Sequence, residues 1–122
     1  MRLHEKEMRF VYGETLNELI EENRNVMCLE ADLSKAYLNR ANLSKAYLKK
    51  AKLIEAKLIE ADLSDADLTD VNLNRANLNK TNFTNAKIDL KTTNLENTNW
   101  QEAIWDPETR KKLEQKYKKK QP

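Results

Sequence analysis

A chain of 122 residues is the size of one domain, long enough to bury a continuous core and short for two. Charged residues make up 34% of it and the mean hydropathy is −0.88, so a core can form only if the apolar residues fall in a pattern. With 22 basic against 20 acidic side chains the whole-molecule field is weak, which gives no reason to expect nucleic-acid or membrane binding.

In chain order, residues 1–25 form the first region. Met1 to Glu7 is polar and charged, no apolar run fit for a signal or a span follows, and the expectation is a cytoplasmic protein. His4, the only histidine, reads as a solvated residue rather than a catalytic group or a metal ligand. Phe10, Val11 and Tyr12 before Gly13 read as an extended piece. Thr15-Leu16-Asn17-Glu18 matches a capping box, and Leu16, Leu19 and Ile20 form one apolar stripe of a short helix ending near Asn23. We read this region as an N-terminal capping segment.

Residues 26–106 are repetitive. From Ala31 to Leu90 run twelve five-residue units without a break in frame, beginning ADLSK, AYLNR, ANLSK, AYLKK. The central residue of each unit is an apolar anchor: Leu33, Leu38, Leu43, Leu48, Leu53, Leu58, Leu63, Leu68, Leu73, Leu78, Phe83 and Ile88. A period of five would smear these side chains around a helix, so a helical reading fails. In extended chain the small first residue and the anchor share an inward face, while the residue between them points out. Positions four and five are polar together, which breaks the alternation and requires a corner once per unit. Charges at position five fix how many units make a turn. At a spacing of twenty residues all seven charged pairs are opposite in sign, against six of eight at fifteen and four of six at twenty-five. After Leu90 the frame slips by two residues, Lys91 and Thr92, and resumes as TNLEN, TNWQE and AIWDP. With a degenerate first unit anchored on Cys28, sixteen units make about four turns. Cys28 reads as a small buried hydrophobe rather than a nucleophile, and as the lone cysteine it fits a reducing compartment.

Residues 107–122 carry 7 basic and 2 acidic side chains. Asp106-Pro107 is a helix start, Leu113 and Tyr117 lie on one face of that helix, and Trp100 and Trp105 are placed to close the final turn. The run Lys118 to Lys120 reads as favourable charge at a helix C-terminus rather than a binding site.

The A(D/N)Lxx units, as in Ala31-Asp32-Leu33-Ser34-Lys35 and Ala41-Asn42-Leu43-Ser44-Lys45, resemble those of the pentapeptide-repeat family. The resemblance covers roughly residues 26–106. It implies an all-β solenoid, a right-handed quadrilateral β-helix of about four turns, here with short α-helical caps at both ends, and a bacterial origin. Such a coil presents flat faces, and the expected function is non-catalytic: a structural or protein-interaction module, monomeric or weakly dimeric, whose partner is an unidentified protein and neither nucleic acid nor membrane. The carboxylates are spread along outward columns, Gly13 is the only glycine, and no cofactor or metal site is expected. Outward apolar residues are the oddity. Tyr37 and Ile59 should share a face, Ile54 the next one round, and Tyr47, over Met27, another; together they are the candidate partner surface. The alternative that the resemblance offers is a DNA mimic acting on a type II topoisomerase such as gyrase. That role calls for a long acidic rod, whereas residues 26–106 hold 11 basic and 12 acidic side chains.

Overall fold

From Asp32 to Lys87 the backbone alternates between a single outward ladder residue and a tight corner. The computed structural model describes residues 30–117; the expectations on His4, on the capping box at Thr15 to Glu18, on Met27 and Cys28, and on Lys118 to Lys120 lie outside that range.

The unit Ala61–Asp65 shows how one repeat satisfies its backbone. The Ala61 N–H donates to the Leu58 carbonyl across the corner (3.0 Å), and the Asp62 N–H reaches back one coil to Ala41 (2.9 Å). The N–H groups of Leu63 and Asp65 reach forward one coil to Asn82 (2.8 Å) and Thr84 (2.9 Å). The remaining donor, the Ser64 N–H, is taken by the Asp62 carboxylate at 2.9 Å. All five donors are used, as burial beside a packed interior requires. The last bond explains why Asp or Asn recurs at position two: the side chain closes a turn with the backbone two residues on. The same contact recurs at Asp32, Asn42, Asp67, Asn72, Asn77, Asn82, Asn94 and, outside position two, Asp89.

The corners use an unusual conformation. Position five has positive φ in every unit from Glu30 to Asn85, between 57° and 63°, and again at Asn97. With φ negative at position four and positive at position five, each corner has its left-handed residue where a type II turn has it. Charged, unbranched side chains stand at most of these corners, because they tolerate the strain of about 1–2 kcal/mol each and project into water.

Parallel bridges join Asp32 to Lys52, Tyr37 to Lys57, Asn42 to Asp62 and Tyr47 to Asp67, and each ladder continues in the next coil. The register of twenty residues, with a corner every five, puts four units in each coil, in agreement with the charge pattern. We number the faces in chain order by these ladders: the first through Lys52, the second through Lys57, the third through Asp62 and the fourth through Asp67. Beyond the slip at Lys91 and Thr92 the register becomes twenty-two, Asn72 with Asn94 and Asn82 with Ile104. On the second face the ladder ends differently. The Asn99 side chain accepts from the Leu78 N–H (2.6 Å) and donates to the Asn77 side chain (2.9 Å), and Trp100–Glu102 form a 3₁₀ turn instead of a repeat corner.

The interior is a column of anchors. Every anchor from Leu33 to Leu78, with Phe83 and Leu95, is 0–1% exposed, and the alanines of position one fill the space beside them. Each buried Leu contributes about 1.5–3 kcal/mol by transfer. Two polar residues share the interior, Thr81 and Thr93, whose hydroxyls donate to the carbonyls of Leu58 (2.7 Å) and Leu68 (2.9 Å). Ile88 departs from the expectation: it is only partly buried, because the chain leaves the repeat path two residues later.

The helix α1 (Pro107–Lys116) starts where Asp106-Pro107 predicts, and its Leu113 is fully buried against the last coil. Phe83 and Trp105 stack with ring centroids 4.2 Å apart and 7° between planes, and the Trp105 indole donates to the Trp100 carbonyl (2.8 Å). Groups near α1 occupy the edge of the last coil. The Tyr117 hydroxyl accepts from the Leu95 N–H (3.1 Å), Asp106 accepts from the Asn85 N–H (2.8 Å), and Arg110 donates to the Ala103 carbonyl (2.7 Å).

Two substitutions test this architecture by denaturant melts. Leu58→Ala, mid-stack, is expected to cost about 2–5 kcal/mol because the surrounding coils cannot collapse into the cavity, whereas Lys52→Ala on the outward ladder should cost under about 0.5 kcal/mol. Glu55→Val should lose more than about 1 kcal/mol, since a β-branched residue fits poorly at positive φ, while Lys52→Val three residues earlier in extended chain should be neutral or better. Equal effects within either pair would refute the inward and corner assignments.

Candidate partner surface

Side chains at positions two, four and five are the ones a partner can meet. Tyr37 is 60% exposed on the second face, and the Lys57 ammonium of the next coil lies 4.2 Å from its ring centroid. A cation over the ring face is attracted by its quadrupole, which holds the phenol against the ladder. Ile59 stands on the same face, half-buried, its N–H donated to the Asn39 side chain of the coil before at 2.9 Å. Ile54, also half-buried, lies on the first face beside the corner at Glu55. Tyr37 and Ile59 thus share the second face, while Ile54 precedes the Glu55 corner at which that face begins. Tyr47, 42% exposed, is on the fourth face, opposite Tyr37, and does not join them.

Two features escaped the sequence reading. Ile104 is 51% exposed at position two of the last unit on the third face, and its signal in the sequence was an isoleucine at the outward position of AIWDP. The second is an open groove where the slipped corner meets α1, lined by Ile88, Asp89, Leu90, Lys91, Lys112 and Lys116. Its signal was the slip itself, together with a leucine where every earlier unit has a polar residue.

The charge columns are looser than the sign pattern implies. Arg40 and Glu60 form an exposed ion pair at 3.3 Å, but Lys80, expected on the other side of Glu60, stays beyond ion-pair distance. Long side chains projecting from corners into water lose more freedom on pairing than a screened attraction returns, so these columns bias register without fixing geometry. Asp67 on the fourth face is held more firmly. Burial pushes its carboxyl pKa up, but the Thr69 hydroxyl and amide at 2.7 and 3.0 Å, with Lys87 and Lys49 nearby, outweigh it and hold the pKa below the usual carboxylate value. Tyr117 is shifted the other way: burial raises its phenol pKa, opposed by the Leu95 N–H and supported by Glu96.

Among the described residues no cluster of His, Cys, Asp and Glu could hold a metal, and no helix is long and apolar enough to cross a membrane. What the geometry defines is a repeat solenoid with flat, side-chain-bearing faces. The pentapeptide-repeat family matches in eight copies over residues 28–65 and 56–90, more than half of the chain, and the chain belongs to that family. Its relatives adopt the β-helical solenoid fold. Among solved structures it resembles the pentapeptide repeat protein Rfr23 of the cyanobacterium Cyanothece 51142, with 33% identity, 66% of this chain and 57% of that one covered, and a TM-score of 0.50. HetL of the cyanobacterium Nostoc, a protein involved in regulating heterocyst differentiation, is 35% identical over 66% of this chain and 38% of its own, with a TM-score of 0.32. QnrB1, a plasmid-mediated fluoroquinolone resistance protein, is 19% identical over 76% of this chain and 54% of its own, with a TM-score of 0.37. The chain thus spans about half the length of these proteins or less. Comparison with curated protein sequences found no match.

The depressed pKa of Asp67 has a signed consequence. A carboxylate favoured in the folded state adds stability above the unfolded pKa of about 3.9, and that stability is lost as pH falls through the lower folded value. Asp67→Asn keeps the acceptor for Thr69 and removes the titration. Melts of both proteins should show the wild type ahead at pH 7 and the lead shrinking below about pH 4; a lead independent of pH would mean that the charge contributes nothing.

Proposed function

We propose that this chain is a non-catalytic structural or protein-interaction module of the cytoplasm: a right-handed coil of about four turns, closed at both ends by short helices, that offers side chains in fixed columns to a protein partner. The observation that carries the reading is the exposed Tyr37 on the second face, which Ile59 shares and Ile54 borders. An aromatic ring 60% exposed and pinned by Lys57 presents apolar area at little entropic cost, in a surface that is mostly polar and charged. The DNA-mimic alternative needs a continuous acidic face. The corner columns instead interleave signs, as in Lys35, Glu55, Arg75 and Arg40, Glu60, Lys80, and the low similarity to QnrB1 does not extend to function.

A photocrosslinking amino acid placed at Tyr37 or Ile59 is expected to yield adducts with one protein in the source cell, and the same probe at Lys49 on the fourth face few. Absence of adducts from Tyr37 and Ile59 would refute the surface. Adducts with a type II topoisomerase formed from Asp65 and Asp70 would favour the DNA-mimic reading.

A further inference from the structure

The groove at the end of the fourth face differs from every other outward surface of the coil in its chemistry. At twelve successive corners, from Glu30 to Asn85, position five is polar and has positive φ; Leu90 breaks both rules. Its anchor, Ile88, is likewise the one in the run from Leu33 that the interior does not enclose. The cause is the insertion of Lys91 and Thr92: the backbone N–H groups of Thr92 and of Thr93 after it both donate to the Asp89 carbonyl (3.0 and 2.7 Å), which folds the corner outward and leaves Ile88 and Leu90 as an apolar floor.

The rim is basic. Lys91 comes from the insertion, and Lys112 and Lys116 from α1, which borders a groove of about 540 Å3. The ammonium of Lys116 is hydrogen-bonded to the Leu90 carbonyl, a contact between the helix and the slipped corner at the edge of the groove. Asp89 is the only acid in the lining, and its carboxylate is engaged by the Lys91 N–H at 2.9 Å. Lys91 and Lys112 are exposed.

We propose that this groove binds a linear peptide segment in which apolar side chains are flanked by carboxylates, the apolar residues resting on Ile88 and Leu90 and the carboxylates meeting Lys91 and Lys112. Charge complementarity sets the flanks and the floor sets the centre. A nucleic-acid backbone would leave the floor uncovered, and a bilayer is too flat to enter between the insertion and α1. The proposal rests on the interaction-module reading and adds to it a second site, remote in sequence from Tyr37 on the second face.

The test is fluorescence anisotropy of a labelled EELLEE peptide titrated with the full chain, thermal melts confirming that each variant is folded. Binding is expected to the wild type, to weaken with added salt, and to weaken about tenfold or more in L90S and independently in K91E/K112E, while Y37A binds as the wild type does. The proposal is overturned if EELLEE does not bind, if EESSEE or KKLLKK binds as well, or if folded L90S and K91E/K112E both bind unchanged. It is also overturned if phosphatidylserine vesicles or a DNA duplex are retained by the wild type and EELLEE does not displace them. Failure here with crosslinks from Tyr37 intact removes the groove alone; failure of both removes the module.

Discussion

Everything in this protein follows from a backbone constraint at the fifth residue. A left-handed residue after each pair of inward side chains turns the strand through a corner, and the same hand repeated at every unit from Glu30 to Asn85 makes a coil rather than a sheet. The conformation is intrinsically unfavourable for the Lys, Arg, Glu and Asp side chains that hold it. It persists because each corner delivers an anchor to the interior and aligns three backbone hydrogen bonds with neighbouring coils. Local strain and global packing are therefore coupled unit by unit, the nearest-neighbour energetics expected of a solenoid.

The outward polar residues have structural work as well. Asp and Asn at position two do not merely face solvent; each accepts the one backbone donor that neither the corner nor the ladder can use. Where Lys57 replaces them on the second face, Asn39 from the preceding coil supplies the acceptor for Ile59. At this unit, then, a lysine can stand on the ladder because a neighbour takes over the hydrogen bond.

Anchors, corner spacing, the twenty-residue coil, the slip at Lys91 and Thr92 and the start of α1 could all be read from the sequence, because each rests on periodicity or on a local start signal. Side-chain geometry could not. Opposite signs at position five predicted the register, yet only Arg40 and Glu60 approach closely, since sign is a property of sequence and contact depends on rotamer freedom in water. Tyr37 and Ile59 fell on one face as expected, whereas the cation above Tyr37 and the groove beside Leu90 required knowing how the slipped corner and helix sit together. Ile88 misled for the same reason: its unit keeps the frame, but the path after it does not.

The chain has two tryptophans, and the stack that joins Phe83 to Trp105, with Trp100 beside Tyr117, places both at one extremity of the coil. Intrinsic fluorescence is therefore a local witness. In a molecule whose coils touch only their neighbours, loss of the last coil would change emission while most of the amide circular dichroism survived, and unravelling from the opposite extremity would do the reverse. The two signals, recorded on one sample, distinguish fraying from a particular end from concerted unfolding without any label being introduced.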